Sequence, residues 1–322
     1  MKIVVIGTGV IVERFITAAQ EVEGVTFVAV YSRSVNSGVA FAGKNGVAKV
    51  YTNLDEMLAD PDIDFVYVAS PNSLHFEHVK KSLHAGKNVI CEKPFTSTYE
   101  EALSLSAIAK ETGLFLFEAI TTIYLPNYKI LKEYLPEIGA VRIVQCNYSQ
   151  YSLKYDKLLE GDLPNVFNPK YSGGTLMDLN IYNLHFVLNL FGQPKRVSYF
   201  PNLFKNGIDT SGTAILEYSG FICDCTASKD SRGRSFVTIQ GEKGYIHVDG
   251  SGSLCRSIHV SVGGRECTVN EQAKENILYY EIFAFQEMFS LKDFSKCYES
   301  LDYTCTVMKT VEDALKSGGI LF

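Results

Sequence analysis

Residues 2–12 read KIVVIGTGVIV, and this stretch decides how the chain begins to fold. Residues 3–6 are all apolar, which is typical of a strand that is covered on both faces. Gly7 and Gly9 follow in a short turn, and a helix is predicted from about residue 11 to residue 21. Two glycines at such a turn let the backbone approach a pyrophosphate, which then rests on the helix N-terminus.

This turn is therefore the first candidate binding site, and the alternative interpretation is a tight turn with no ligand. The predicted dinucleotide contacts are Gly7, Thr8, Gly9, Val10 and Ile11. Val12 stands at the third position of the glycine pattern, where a small residue normally allows the helix to pack closely on the strand.

The first 120 residues alternate apolar strands with helices. Predicted strands cover residues 2–7, 26–32, 47–51, 64–70, 88–93 and 114–119, with helices near 11–21, 54–58, 73–85 and 100–111. Apolar strands separated by helices indicate a parallel sheet covered on both sides. We therefore expect an α/β protein with an N-terminal, doubly wound Rossmann domain over residues 1–121.

The pattern changes after Ala119, where strands become longer and alternate between apolar and polar residues. Such strands are predicted over 140–152, 213–228, 235–250 and 258–262, with helices near 175–191, 274–290 and 301–317. Period-two alternation joined by glycine turns is typical of an antiparallel sheet with one face against helices. Residues 122–322 are expected to form an α+β domain with a large, open, mostly antiparallel sheet.

Composition narrows the function classes. The 322 residues carry a formal charge of −6, and the densest basic cluster is Lys80-Lys81, so neither nucleic acid nor a membrane surface is an expected partner. Polar residues interrupt every apolar run before it reaches membrane-spanning length. Eight dilute cysteines indicate reduced packing thiols in a cytoplasmic protein, and no metal site is predicted.

The end of the second strand, Tyr31-Ser32-Arg33-Ser34, bears on cofactor choice. A carboxylate there would accept hydrogen bonds from the ribose hydroxyls and repel a 2′-phosphate. Here a hydroxyl (Ser32) and a guanidinium (Arg33) replace it, and arginine binds phosphate bidentately. NADP(H) is the expected cofactor and NAD(H) the second candidate, while a solvated Arg33 is the alternative without a ligand.

Two further segments leave predicted strands at the edge where open parallel sheets bind ligands. They run together as SPNSLHFEHVKKSLHAGKNVICEKPF, residues 70–95, and GGTLMDLNIYNLHFVLNLFG follows at 173–192. With GTGVIV, these stretches resemble the Gfo/Idh/MocA family of oxidoreductases over essentially the whole chain. The likeness is greatest to the glucose–fructose oxidoreductase and dimeric dihydrodiol dehydrogenase branch.

The resemblance implies hydride transfer, a catalytic Lys93, a cis Lys93–Pro94 peptide bond and cofactor contacts in the two edge segments. The contacts it implies are Ser70, Pro71, Asn72, His75, Glu92 and Lys93. It also implies assembly, commonly as homodimers, through the open face of the second sheet. Ile215, Phe221 and Cys223 are candidates for that face, and in some relatives the C-terminal helix returns to the first domain.

The segment 175–191 can also be interpreted without the resemblance. At 100° per residue, Asp178, Tyr182 and His185 fall on one side of a helix beside an apolar stripe. A polar stripe facing solvent more often holds Lys and Glu, which favours a site. The family pattern Asp-x-Gly-x-Tyr places the proton-transferring group at Tyr182, whose phenol a nearby Lys93 would acidify. Asp178 and His185 are the competing acid/base pair, as in the inositol-dehydrogenase branch, and Asn180 stands where the pattern has Gly.

Together these features predict an NADP(H)-dependent oxidoreductase acting on a secondary alcohol or carbonyl of a sugar, cyclitol or diol. Two alternatives stay open: a non-catalytic dinucleotide sensor, and a redox-neutral enzyme that uses a tightly held NAD transiently.

Overall fold

The structure is a computed structural model that describes residues 1–322. It divides into two compact units, one made of Met1–Ala119 with Lys274–Cys305 and the other of Ile120–Ala273 with Thr306–Phe322. The first division thus falls two residues before the expected boundary. The segment Lys274–Cys305 also belongs to the first unit. Only the family resemblance had suggested that the chain returns there near its end.

The first unit contains a six-stranded sheet in which every neighbouring pair is parallel. Its order is β3-β2-β1-β4-β5-β6. The strands are β1 Lys2–Ile6, β2 Thr26–Tyr31, β3 Lys49–Tyr51, β4 Phe65–Val68, β5 Asn88–Glu92 and β6 Leu116–Ala119. The order reverses direction between β1 and β4, which is the arrangement of a doubly wound nucleotide-binding domain and confirms the expected fold class.

Five helices connect these strands: α1 Val10–Ala19, α2 Val35–Asn45, α3 Leu54–Leu58, α4 His75–His84 and α5 Tyr99–Thr112. Asn53 caps α3 with its side chain, and Thr98 and Glu101 form a capping box on α5. Near the end of the chain, α9 Leu278–Leu291 lies in the first unit, and α10 Phe294–Ser317 is divided between the two units.

The second unit contains an eight-stranded sheet of order β14-β13-β12-β11-β7-β10-β9-β8. All neighbouring pairs are antiparallel except β7 and β10, which are parallel. The strands are β7 Val141–Ser149, β8 Arg196–Leu203, β9 Asp209–Glu217, β10 Ile222–Ser228, β11 Phe236–Gly241, β12 Gly244–Asp249, β13 Ser257–Val262 and β14 Arg265–Val269. The helices within Ile120–Ala273 are α6 Pro126–Tyr134, α7 Leu153–Leu159 and α8 Ile181–Phe191.

The stretch 213–228, expected as one strand, is a hairpin of β9 and β10. Its turn places the Tyr218 and Phe221 rings in a stack with centroids 4.6 Å apart, and the Tyr218 N–H donates to the Phe221 carbonyl. The turn residues Ser219-Gly220 were the signal for this reversal.

One face of the second sheet is buried, and Cys223 lies on it with no exposed surface. Its assignment to the open face is therefore wrong: the hairpin turn before β10 fixes the register so that residues 223, 225 and 227 point inward. Ile215 lies on the opposite face, while Phe221 packs in the turn against Phe191. None of the helices in the chain combines the length and the apolar character that a membrane span requires.

Candidate active site

The glycine turn between β1 and α1 leaves open space beside the N-terminus of the helix. Gly7 has φ +125°, and a Cβ there would lie 2.6 Å from the carbonyl oxygen of Ala69. Gly9 begins α1 as its N-cap, and no atom lies within 4 Å of where its Cβ would be. The first N–H groups of a helix have no partner within it, so this open, exposed turn offers donors and space to a phosphate.

Val12, the departure from the glycine pattern, is fully buried in the first unit. Its side chain belongs to the apolar face of α1, and the helix still begins directly after Gly9. The substitution therefore leaves the turn itself intact.

The loops after β4 and β5 are joined by His75. Its Nε2 lies 2.9 Å from the Ser70 carbonyl oxygen and its Nδ1 lies 2.9 Å from that of Pro94. The ring is 1% exposed, and burial lowers the pKa of His75, which favours a neutral ring that donates to one carbonyl at a time. His75 thus fixes the two loops relative to each other, and its contact with the cofactor stays a prediction.

The Glu-Lys-Pro segment leaves β5 with its glutamate turned into the interior. Glu92 is 7% exposed and accepts a hydrogen bond of 2.5 Å from the Tyr67 hydroxyl, and burial raises the pKa of Glu92. Tyr67 in turn stacks on Phe15 of α1, with ring centroids 3.9 Å apart. Lys93 follows, half-buried, and its peptide bond to Pro94 is cis, as expected.

The residues expected to distinguish the cofactors lie at the end of β2. Ser32 Oγ accepts from the Ser34 N–H at 3.3 Å, and Ser34 caps α2. Arg33 is exposed. Burial lowers the pKa of His78 to about 4, and the positive charges of neighbouring groups, Arg33 among them, act in the same direction. Arg33 therefore supplies a positive charge near His78 of α4.

In the second unit, the helix predicted over 175–191 begins with a π-helical turn, Leu176–Asn180, and continues as α8. The wider turn shifts the angular positions of residues on either side of it, so the polar row is not continuous. Asp178 and Tyr182 are partly exposed, whereas His185 is fully buried. Asn189, one turn after His185, accepts a hydrogen bond from Lys132 Nζ at 2.5 Å.

Two asparagines tie this helix to β10. Asn180 Nδ2 donates to the Cys225 carbonyl at 2.8 Å, and Asn183 Nδ2 donates to the Thr226 carbonyl at 3.0 Å. Both side chains are fully buried. Asn180 therefore fills the position of the family's glycine with an anchor to the sheet, and it does so without ending the helix.

The start of the π turn is held by Asp209, which sequence reasoning missed. This buried carboxylate accepts from the Leu176 N–H at 2.6 Å and from the Tyr199 hydroxyl at 2.6 Å, and burial raises its pKa. Gly174, with φ +106°, passes so close that a Cβ would lie 2.0 Å from Asp209 Oδ1. The Gly173-Gly174 pair was the available sequence signal for a close backbone approach here.

A second missed residue is Lys229, directly after β10. Its Nζ donates to Asp178 Oδ2, and its side chain is 8% exposed against 29% for Asp178. The two residues are 51 positions apart in the chain, so local patterns gave no indication of the pair. The one local feature that could have drawn attention to Lys229 is its place at the end of an alternating strand, in the run Ser-Lys-Asp-Ser.

Tyr182 also has a neighbour on the sheet, because its ring lies 5.9 Å from that of Tyr148 of β7. Tyr148 lines a cavity of about 730 Å³ in the second unit. The other lining residues are largely hydroxyl, amide or charged, among them Ser149, Ser235, Asp249, Ser257, Arg234, Arg256 and Asn270. Such a lining suits a polyhydroxylated ligand better than an apolar one.

The inner face of the second sheet brings three cysteines together. Cys146 of β7 lies opposite Cys225 of β10, and the Cys223 and Cys225 sulfurs are 3.7 Å apart. All three thiols are buried, with sulfurs within 4.8 Å of one another. The strand alternation of Cys223-x-Cys225 was visible in the sequence, but the approach of Cys146 depended on the parallel pairing of β7 with β10.

Comparison of this sequence with known proteins assigns a family to both parts of the chain. Residues 1–120 match the model of an oxidoreductase family with an NAD-binding Rossmann fold, and residues 135–247 match the GFO/IDH/MocA C-terminal domain. The NADP(+)-dependent scyllo-inositol 2-dehydrogenase IolU of Bacillus subtilis is 35% identical over 100% of this chain and 98% of its own. The chain belongs to the Gfo/Idh/MocA family of oxidoreductases.

A second relative and a solved structure extend the comparison. Pig (Sus scrofa) trans-1,2-dihydrobenzene-1,2-diol dehydrogenase is 30% identical over 69% of this chain and 65% of its own. The solved structure of KijD10, a 3-ketoreductase of Actinomadura kijaniata in complex with NADP and TDP-benzene, superposes with a TM-score of 0.88 at 20% identity. That match covers 98% of this chain and 97% of the other, and it shows that the fold is shared.

Proposed function

We propose that this protein transfers a hydride between NADP(H) and a secondary alcohol or carbonyl of a sugar, cyclitol or diol. The observation that carries the proposal is a helix that presents Asp178 and Tyr182 in a unit with a polar cavity. The first unit of the same chain matches a nucleotide-binding family. The relatives named above act on an inositol and on a diol, which supports this substrate class.

The residues of the first unit fit the cofactor. The open position at Gly9 and the N-terminus of α1 would receive the pyrophosphate, and Arg33 with Ser32 would meet a 2′-phosphate. A nicotinamide bound there would supply the hydride-transfer chemistry. Lys93 follows the buried Glu92 at the end of β5, the same sheet edge as the glycine turn.

Removing a hydride from a carbinol also requires a base for the hydroxyl proton, and reduction requires the same group as an acid. We assign this proton to the Tyr182 hydroxyl, with the Lys93 ammonium favouring the phenolate. The alternative, Asp178 with His185, is disfavoured by two observations. Lys229 already holds the Asp178 carboxylate, and His185 has no exposed surface.

The test is an assay of nicotinamide absorbance with NADP⁺ or NAD⁺ and a panel of scyllo-inositol, trans-1,2-dihydrobenzene-1,2-diol and aldoses. Turnover of at least one polyol, faster with NADP⁺, supports the proposal. Cofactor binding without turnover of any member would favour the sensor, and product formation without net cofactor reduction would favour the redox-neutral enzyme.

A further inference from the structure

Lys229 is a buried cation that the resemblance did not assign to the site. Its side chain is 8% exposed, and its ammonium donates to Asp178 Oδ2. Removing a lysine from water costs free energy that one ion pair repays only with good geometry, and apolar replacements of buried pairs are often as stable. Stability alone therefore does not account for a lysine at this place.

The backbone around Lys229 is fixed on both sides. Its N–H donates to the Thr210 carbonyl and its carbonyl accepts from the Ser152 N–H, both at 2.9 Å. The next residue, Asp230, accepts hydrogen bonds from the Thr210, Ser211 and Ser228 hydroxyls at 2.7–2.9 Å. A side chain that starts from such a rigid segment can hold its partner in one position.

Asp178 is held equally firmly from its own side. Its N–H donates to the Gly174 carbonyl at 3.0 Å, and Asp209 anchors the N-terminal end of the same π turn. The carboxylate is the more exposed member of the pair, so Lys229 lies behind it. An ionised carboxylate is only an acceptor of hydrogen bonds, and hydroxyl groups are its natural donors.

We propose that Lys229 is a positioning residue that fixes the Asp178 carboxylate to accept a hydrogen bond from a hydroxyl next to the reacting carbon of the substrate. Asp178 and Tyr182 are four residues apart on one continuous helical segment, and both side chains are partly exposed. Tyr182 would meet the reacting oxygen and Asp178 the adjacent one. The substrate class is then a vicinal diol, and this inference rests on the proposed function.

The experiment compares kcat/KM for scyllo-inositol with that for a deoxy-inositol lacking the hydroxyl next to the reacting carbon, with NADP⁺ as cofactor. Lys229→Met is expected to lower kcat/KM for scyllo-inositol by about 10- to 100-fold, the range for a hydrogen bond to a charged group. The deoxy substrate should lose much less, so discrimination between the two collapses. Lys229→Arg should restore most of the activity, and Lys170→Met, an exposed lysine of the same unit, should behave as wild type.

The double variant Lys229→Met/Asp178→Asn separates positioning from a general loss of structure. If Lys229 acts through Asp178, the double variant is no worse than Asp178→Asn alone, and it also removes the uncompensated buried charge that could unfold Lys229→Met. Effects that multiply, or equal losses for both substrates, would overturn the inference while leaving the proposed function in place. Wild-type protein that turns over no polyol at all would overturn the proposed function and this inference with it.

Discussion

Arg33 and Ser32 stand at the end of β2, where a carboxylate would have selected NAD(H). We predict that Arg33→Ala weakens NADP(H) binding by ~1.5–3 kcal/mol, the range for hydrogen bonds to charged groups, because the 2′-phosphate loses its guanidinium partner. NAD(H) affinity should barely change. Calorimetric titration of both cofactors measures this, with Arg196→Ala, an exposed arginine of the other unit, as the control. Equal losses for both cofactors would show that Arg33 does not contact the 2′-phosphate.

Lys93 and Tyr182 should act as one unit in catalysis. Tyr182→Phe removes only the hydroxyl, so cofactor binding should persist while turnover falls by ~10²–10⁴, the usual contribution of general acid–base catalysis. Lys93→Met should cost a comparable factor, and the double variant should lose little more than either single one because such groups are strongly non-additive. Steady-state kinetics with the best polyol measures all three. Near-full activity of Tyr182→Phe together with an inactive His185→Ala would transfer the role to the Asp178/His185 pair.

Single candidate site residues are easiest to predict from the sequence where they belong to a short local motif. Gly7 and Gly9 could be read from one turn, and Lys93 from a short run after a strand. Lys229 and Asp209 could not be found in this way, since their roles come from pairing with Asp178 and Leu176 across the second sheet and helix. His75 was predicted as a cofactor contact, and its position between two carbonyl oxygens could not be foreseen because it depends on how the loops after β4 and β5 approach each other.

Among the elements, α4 carries the clearest pH dependence. The folded pKa of His78 is about 4, below its ordinary 6.5, so between these values the unfolded chain binds more protons. Stability should therefore fall as pH drops from 6.5 toward 4. Because the ring is partly exposed, we expect only about 1 kcal/mol of this loss by pH 5.

Urea unfolding at pH 7 and pH 5 measures the effect. His78→Gln keeps a polar group near Ser70 Oγ, which lies 2.9 Å from the ring in the wild type, and should show a smaller loss at pH 5. His84→Gln, an exposed residue at the end of the same helix, should match the wild type. An identical pH dependence in all three proteins would show that His78 does not titrate as its burial implies.

Element boundaries show where local patterns are insufficient. The parallel strands of the first unit were predicted to within a few residues, because an apolar run bounded by turns is a local signal. A helical wheel at 100° per residue cannot reveal the π turn at Leu176–Asn180, nor that His185 is fully buried while Asp178 and Tyr182 stay partly exposed. The edge strands β8 and β14 were missed because polar residues interrupt their alternation.

For the whole molecule, the outer face of the second sheet is the surface to test for self-association. Ile143 and Ile222 are paired across β7 and β10 and are 39% and 52% exposed, and Phe200 of β8 is 65% exposed. We predict that the protein is at least a dimer and that Ile222→Lys weakens the assembly, because a charge would be buried in the interface. Light scattering at micromolar concentration measures this. Leu153→Lys, at an exposed apolar residue of α7, should have no effect, and a monomeric wild type would contradict the prediction.

For the whole molecule, the sequence pattern alone could not show which segments belong to the same unit. Lys274–Cys305 belongs with the first 119 residues, although its aromatic-rich helix α9 follows the second sheet directly. Phe285 of α9 stacks on Phe117 of β6, with ring centroids 4.5 Å apart. Nothing local in the sequence identifies which sheet such a helix covers.

In the proposed reaction a hydride moves between a substrate carbon and the cofactor. Incubating the protein with NADP⁺ and scyllo-inositol deuterated at its carbinol carbons tests this, with mass spectrometry to determine where the deuterium is found. We expect reduced cofactor that carries deuterium on the nicotinamide, together with a ketone product. Substrate converted without deuterium in the cofactor pool, or bound cofactor that never acquires deuterium, would contradict hydride transfer.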